Sequence, residues 1–287
     1  MDVLQSLPVD KWSSLLDLLK RDWPAYAYYH NHVNNSIKWK AKEPSVKIDF
    51  YCPHGTTDAG VFISIAGGAR ISLVVFAFDE SKDILQEVLR KTRRINWSES
   101  LIFACVHEGI LGVLKNFLET AGRSKGCVSY KSLDNYCYFL SKEHCSKIKV
   151  KVPEECELKR IDETFVPLIH SLWPHRDTRH PEKTLGFLTE IARLNGGYGL
   201  FSKQDHSLLA WIFQCSIGGL GILQTLDEHK RKGYGKCVAQ AQAKYLAETE
   251  GLDVTLFVIQ SNLPSQSLFE SMGFKRVAAP AWVYANP

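Results

Sequence analysis

Gln224-Thr225-Leu226-Asp227-Glu228-His229-Lys230-Arg231-Lys232-Gly233-Tyr234-Gly235-Lys236 is the stretch on which the reading of this chain turns. Before it, Gly221 to Leu226 has the apolar character of a strand. After it, the residues to about Thr249 read as an amphipathic helix. A basic turn and two glycines join the two. The first amides of a helix have no partners within the helix and point outward, and the helix dipole favours an anion there. Glycine lets a ligand touch backbone where a side chain would intrude. Together these features make a pyrophosphate site, and Lys230, Arg231, Lys232 and Lys236 surround it with positive charge. Taken alone, the segment is explained equally well as a glycine turn with solvated lysines. The G-x-x-x-x-G-K-[ST] spacing of a Walker loop is absent, and two glycines are too few for a dinucleotide fingerprint.

A second segment shifts the balance: Asn262-Leu263-Pro264-Ser265-Gln266-Ser267-Leu268-Phe269-Glu270-Ser271-Met272-Gly273-Phe274. It follows a strand-like run, Val254 to Gln260. Asn262 is placed either to cap the helix behind it or to hydrogen-bond an amide-rich ligand. Leu268, Phe269 and Met272 form an apolar stripe at helical spacing, a pattern more common in cores than in ligand sites.

The chain around these segments has 287 residues, 45% hydrophobic and 23% charged, a globular composition with room for two ordinary domains. Its formal net charge is only +4 and the charges are interleaved, unlike the broad basic footprint of a nucleic-acid binder. The eight cysteines form no C-x-x-C pair, so no metal site is indicated, and several sit in apolar runs as small hydrophobes. A reducing compartment is expected. The first ten residues lack a signal peptide's pattern, Asp2 and Asp10 argue against a mitochondrial presequence, and no apolar run reaches the length of a membrane span. The expectation is a cytoplasmic protein, with the mitochondrion as the alternative, and with no nucleic-acid or membrane partner.

Along the chain, Asp10 is placed to cap a helix carrying Trp12, Leu15, Leu16 and Leu19, and a short helix is expected from Pro24. Strands are expected at 46–52, 61–66 and 71–78, a helix at 81–93, a strand at 100–106, and a helix at 107–120 ending near Gly122. Residues 128–140 read as one or two strands. A lysine-rich passage at 141–156 marks the boundary, giving two units, 1–150 and 151–287. The second contains a strand at 156–161, helices at 162–172 and 184–194, strands at 198–202, 208–215, 221–226 and 254–260, a short helix from Pro264, and a final strand. The halves share an order of elements, so the fold class is α+β: two tandem units, each a mixed, mostly antiparallel sheet flanked by helices.

K-R-K-G-Y-G followed by N-x-x-S-x-x-L-F-x-x-x-G-F resembles the two signature motifs of the GNAT acyltransferase superfamily, with Lys230 where that family usually has Gln or Arg. Finer features resemble the glycine N-acyltransferase family within it: Asp22-Trp23-Pro24, Ile95-Asn96-Trp97, Leu208-Leu209-Ala210-Trp211 and Trp282. The likeness spans nearly the whole chain and is most specific from about residue 156. It implies an N-acyltransferase that moves an acyl group from acyl-CoA to glycine or another amino acid or amine, without a metal or a covalent intermediate. Backbone amides at Arg231, Lys232, Gly233, Tyr234, Gly235 and Lys236 would hold the coenzyme A pyrophosphate. Main-chain amides around Leu223, Gln224 and Thr225 would orient the thioester, and Asn262, Ser265 and Phe269 would line the cofactor. No glycine turn of this kind is present in the first half, which is expected to bind no cofactor.

An aliphatic amine with a pKa of about 10.4 must lose a proton before it attacks. The family's catalytic glutamate is replaced here, with Gly218 or Gly219 nearest its position, and the superfamily's tyrosine acid is Phe269. Glu228 and His229 are the substitute candidates taken forward, beside Asp227, His175 and His180; each alone is more often an ordinary surface residue. Cys215 reads as a buried strand thiol rather than a nucleophile. The acceptor pocket is expected from the Trp173–Pro181 loop with Trp282 and Tyr284, and Arg176 or Arg179 is available for a substrate carboxylate. A non-catalytic acyl-CoA-binding protein and a protein or peptide acetyltransferase are the competing readings. The last calls for an acidic groove, and the sequence has no strong acidic cluster. Gly233→Glu is expected to abolish coenzyme A binding without unfolding the protein; calorimetric affinity retained in that variant counts against this placement of the site.

Overall fold

The computed structural model describes residues 2–287. The first part of the chain runs β1 (Leu4–Leu7), α1 (Ser13–Leu18), α2 (Ala27–Lys42), β2 (Ile48–Pro53), β3 (Val61–Ala66), β4 (Ile71–Ala77), α3 (Lys82–Lys91), β5 (Leu101–Val106), α4 (Glu108–Glu119), α5 (Ala121–Ser124) and β6 (Ser129–Leu140). The rest runs α6 (Lys142–Ser146), β7 (Cys156–Ile161), α7 (Val166–Leu172), α8 (Pro181–Leu194), β8 (Gly197–Ser202), β9 (Leu208–Gln214), β10 (Leu220–Thr225), α9 (Tyr234–Thr249), β11 (Val254–Ile259), α10 (Leu263–Glu270), β12 (Lys275–Ala278) and β13 (Ala281–Asn286). The expected α+β architecture holds: β1-α1-α2-β2-β3-β4-α3-β5-α4 is repeated as β7-α7-α8-β8-β9-β10-α9-β11-α10.

Two compact units result, but they are not the contiguous segments 1–150 and 151–287. The first takes the chain up to Cys137 together with 259–261 and 277–287; the second takes 138–258 and 262–276. The physical reason is strand pairing. β13 lies antiparallel to both β5 and β6, so the C-terminal strand completes the first unit's sheet. Other differences are local. β1 escapes detection because four residues carry too little pattern, α2 begins at Ala27 rather than Pro24, and Gly122 lies within α5 instead of ending α4.

In the first unit the order is β1-β2-β3-β4-β5-β13-β6, antiparallel except for the parallel β4–β5 pair. Its core forms because Leu85, Val88 and Leu89 on α3 and Ile110, Leu114, Phe117 and Leu118 on α4 recur at helical spacing. They pack on Ile63, Leu73, Val75 and Phe103 of the strands. Each such side chain, fully buried, contributes about 1.5–3 kcal/mol. β4 and β5 pair in register only from Ile71–Leu101 to Leu73–Phe103. Beyond that point Tyr29 of α2 bridges the two strands. Its buried hydroxyl donates to the Val75 carbonyl at 2.9 Å and accepts from the His107 amide at 3.2 Å.

In the second unit the order is β7-β8-β9-β10-β11, again antiparallel except for one parallel pair, β10–β11. That pair is in register at Leu220 and Leu256, where the ladder ends. Helix α9 lies on one face. Arg160 of β7 joins α9 to the sheet by donating to Gln242 Oε1 at 3.2 Å and to the Asn195 carbonyl at 2.9 Å, its guanidinium lying over Tyr245 and Tyr198.

Tyr29→Phe removes a buried bridge and strands the Val75 carbonyl. The expected loss is about 1–3 kcal/mol of stability, measured by urea unfolding; an unchanged midpoint would show that the bridge does not hold β4 to β5.

Candidate active site

The site is organised by a bulge in β10. Gly221 faces Phe213 across the ladder, but the next pair is Gln224 with Trp211, so β10 carries one residue more than β9 over this stretch. The extra residue is accommodated at Ile222, whose φ is +57°. A β-branched side chain strongly disfavours that conformation, at a cost of about 1–3 kcal/mol. The bulge resets the alternation of side chains. Leu223 and Thr225 come beside the first turn of α9: a Cβ on Gly235 would stand 3.0 Å from Thr225 Oγ1 and 3.9 Å from Leu223 Cδ1. Gln224 turns the other way, and its Nε2 donates to the Leu172 carbonyl at the end of α7, 2.9 Å away.

After β10, Asp227–His229 form a single 3-10 turn, and the chain then doubles through two left-handed residues, Arg231 (φ +64°) and Gly233 (φ +82°). Gly233 caps α9, whose first closing bond runs from the Cys237 amide to the Gly233 carbonyl at 3.0 Å. Among the described residues, the amides of residues 231–236 donate to no acceptor in the chain. A Cβ on Gly233 would meet nothing within 4 Å, so the space beside that residue is open. Successive inward-turned amides at a helix start form an anion-binding nest.

The side chains of the turn are mostly engaged elsewhere. Lys230 pairs with Asp227 at 2.5 Å, Lys232 Nζ approaches His229 Nδ1 at 3.4 Å, and Lys236 Nζ reaches Ser271 Oγ at 3.1 Å. Tyr234 is buried and its hydroxyl donates to Glu155 at 2.7 Å, so it offers a ligand its backbone amide but not its ring edge. That bond holds the Glu155 carboxyl below the usual carboxylate range, and the same bond, with burial, raises the Tyr234 phenol.

Asn262 takes the first of its two readings: its Oδ1 accepts from the Ser265 amide at 3.2 Å and caps α10. Ser265 is half-buried beside it. Phe269 is a core side chain, 5% exposed, packed edge-on against Phe274. Glu228 is largely exposed and 3.9 Å from the Nε2 of His229, whose ring lies near-parallel to Tyr234 with centroids 6.0 Å apart. His175 packs edge-on to Trp173, His180 lies 3.6 Å from Glu182, and Arg176 donates to the Trp173 carbonyl. Trp282 and Tyr284 belong to β13 in the first unit's sheet. Cys215 lies just after β9 and is half-buried, not a buried strand thiol, and burial raises its thiol above the ordinary value. Of the two glycines expected near the position of the resemblance's glutamate, Gly218 is left-handed (φ +83°) and a Cβ on Gly219 would lie 2.3 Å from the Thr255 carbonyl oxygen.

Sequence reasoning missed the Ile222 bulge, the Tyr234–Glu155 bond and the Gln224–Leu172 bond. None has a local signal, since isoleucine is among the residues least suited to positive φ. Glu155 titrates lower in the folded protein than its ordinary 4.5. Its contribution is therefore present above that value and lost as pH falls through the lowered one. Tyr234→Phe should accordingly lower the melting temperature at neutral pH, with the gap to the parent protein closing on acidification towards pH 3; a gap constant with pH would show that the bond does not stabilise α9.

Residues 197–283 match the FR47-like protein family, and residues 3–117 match a domain of unknown function, DUF5645. No curated protein matches. Among solved structures, a Drosophila protein of 24% identity superposes with a TM-score of 0.89 over 100% of this chain and 99% of its own. A GCN5-related N-acetyltransferase-like protein from Streptococcus suis superposes at 0.51 with 13% identity, over 97% of this chain and 100% of its own. A tandem GNAT protein from the clavulanic acid biosynthesis pathway superposes at 0.52 with 12% identity, over 98% of each chain. The fold of this chain is thus shared with these two-unit proteins, and the FR47-like segment lies mostly in the second unit, with residues 259–261 and 277–283 in the first.

Proposed function

We propose that this chain is an acyl-CoA-dependent N-acyltransferase that acylates a small amine or amino acid, with the coenzyme held by the second unit. The observation that carries the reading is the row of undonated amides at residues 231–236, at a turn with open space beside Gly233 and next to the β10 bulge. The pyrophosphate would sit on that row, where the left-handed Arg231 and Gly233 turn the backbone inward. The acyl arm would run along β10, where the ladder to β11 ends at Leu220. A bulge leaves main-chain groups outside the ladder, and the Leu223 amide is the donor best placed to polarise the thioester carbonyl. The amine then attacks the carbonyl carbon. A C–N bond forms as the C–S bond breaks, and the proton leaving nitrogen ends on the coenzyme A sulfur. Positioning supplies most of the acceleration. Glu228 and His229, in the turn just after β10, relay the proton in this reading.

The first unit lacks these features in two ways that support a non-binding role. Its equivalent helix, α3, is preceded by a turn bearing Asp79 and Glu80, paired with Lys82 and Arg21, with Asp83 in the first turn, so the helix start holds carboxylates where the second unit has bare amides. Tyr29 occupies the ends of its parallel strands. The eight cysteines, none of them in a disulfide, support a reducing compartment, the cytoplasm or the mitochondrion.

The second reading, a non-catalytic acyl-CoA-binding protein, is favoured by the buried Phe269 and by Gly219, which has no room for a carboxylate. Incubation with acetyl-, benzoyl- and longer acyl-CoA and an amine panel separates the two. Amine-dependent release of the free thiol is the expected result. Tight binding without release supports the second reading, and absence of binding removes both.

A further inference from the structure

Trp211 and Gln224 stand opposite each other in the β9–β10 ladder, so their side chains share one face with Cβ atoms about 5 Å apart. It is the face away from α9: Leu223 and Thr225, the neighbours of Gln224, approach Gly235, whereas Gln224 bonds to the end of α7. Each of the two side chains carries a buried polar atom with no hydrogen-bond partner, the indole Nε1 of Trp211 and the Oε1 of Gln224. Trp211 is wholly buried. Buried polar groups in native proteins are almost always paired, and an unpaired one forfeits its hydration with nothing in return. Here a donor and an acceptor are orphaned on facing residues, one of them adjacent to Leu223. Such a pair is the complement of a ligand that presents a donor and an acceptor a short distance apart.

We propose that Trp211 and Gln224 bind the acyl acceptor, and that the acceptor is a primary amine with an uncharged carbonyl on the adjacent carbon, as in an amino-acid amide. The assignment rests on the acyl-transfer reading above. Gln224 Oε1 accepts from an N–H of the amine, which leaves the nitrogen lone pair directed at a thioester carbonyl held at Leu223. Trp211 Nε1–H donates to the acceptor's carbonyl oxygen. A neutral indole donor suits a neutral carbonyl better than a buried carboxylate, which would need a cation. Both polar atoms are closed off from solvent, so the acceptor enters when the Gln224–Leu172 bond opens and the end of α7 moves away.

The test compares glycinamide with ethylamine, which lacks the carbonyl, in the full-length protein and in the variants Trp211→Phe and Gln224→Met. Trp211→Phe should lower kcat/KM for glycinamide at least tenfold and leave ethylamine unchanged. Gln224→Met should lower both, with acyl-CoA affinity by calorimetry unchanged in either variant. Equal effects of Trp211→Phe on the two amines, or unchanged turnover in Gln224→Met, overturn the proposal while leaving acyl transfer intact. If Trp211→Phe does not fold, the half-buried Gln224→Met decides alone. If the protein binds acyl-CoA without turnover, glycinamide uptake by the loaded protein is measured instead, and no uptake overturns the proposal. Failure of the parent protein to bind acyl-CoA overturns the acyl-transfer reading itself.

Discussion

The second unit depends on how β10 leaves its neighbours. A strand paired on both sides has every main-chain group committed, and β10 escapes this by two devices: the ladder to β11 ends at Leu220, and the extra residue at Ile222 shifts the register with β9. The cost is an isoleucine in left-handed conformation. In return, the residues beyond the bulge change faces relative to those before it. Leu223 and Thr225 look towards the start of α9, and Gln224 looks towards α7. Without the bulge, strict alternation along the strand would send the residues beyond it to the opposite faces.

The same order of elements serves two different ends in the two units. Each has a single parallel strand pair in an otherwise antiparallel sheet, and each follows the inner strand of that pair with a helix. In the first unit, a tyrosine hydroxyl ties the separating strands together and the helix begins among carboxylates. In the second, the helix begins with glycine in left-handed conformation and free amides. The contrast is electrostatic as well as steric, because a helix start lined with acidic residues and one lined with bare amides have opposite preferences for an anion.

Helix α9 must be held still for its first turn to act as a fixed cradle. Two polar anchors serve this. Near the start of the helix, the buried Tyr234 bonds to Glu155 just before β7. Further along, Arg160 bonds to Gln242 and lies over Tyr245. A hydrogen bond to a charged group is stronger than a neutral one, and both anchors join α9 to β7 or the residue just before it.

The amino-acid sequence alone determined the α+β class, the doubled order of elements, the position of the glycine turn and the two helices that became α3 and α4. These rest on periodicity and on the backbone freedom of glycine, which are local properties. The turn at residues 230–236 was legible for the same reason: Gly233 is needed where φ is positive, and the chain shows it. Only the tertiary structure decided that β13 completes the first unit, that Tyr29 closes β4 and β5, that Phe269 is core and Asn262 a cap, and that Gly219 admits no side chain. It also brought Trp211 opposite Gln224 across a bulge centred on an isoleucine. Each of these is set by a contact between residues distant in the chain, or by a conformation the residue itself disfavours, and neither leaves a mark in local pattern.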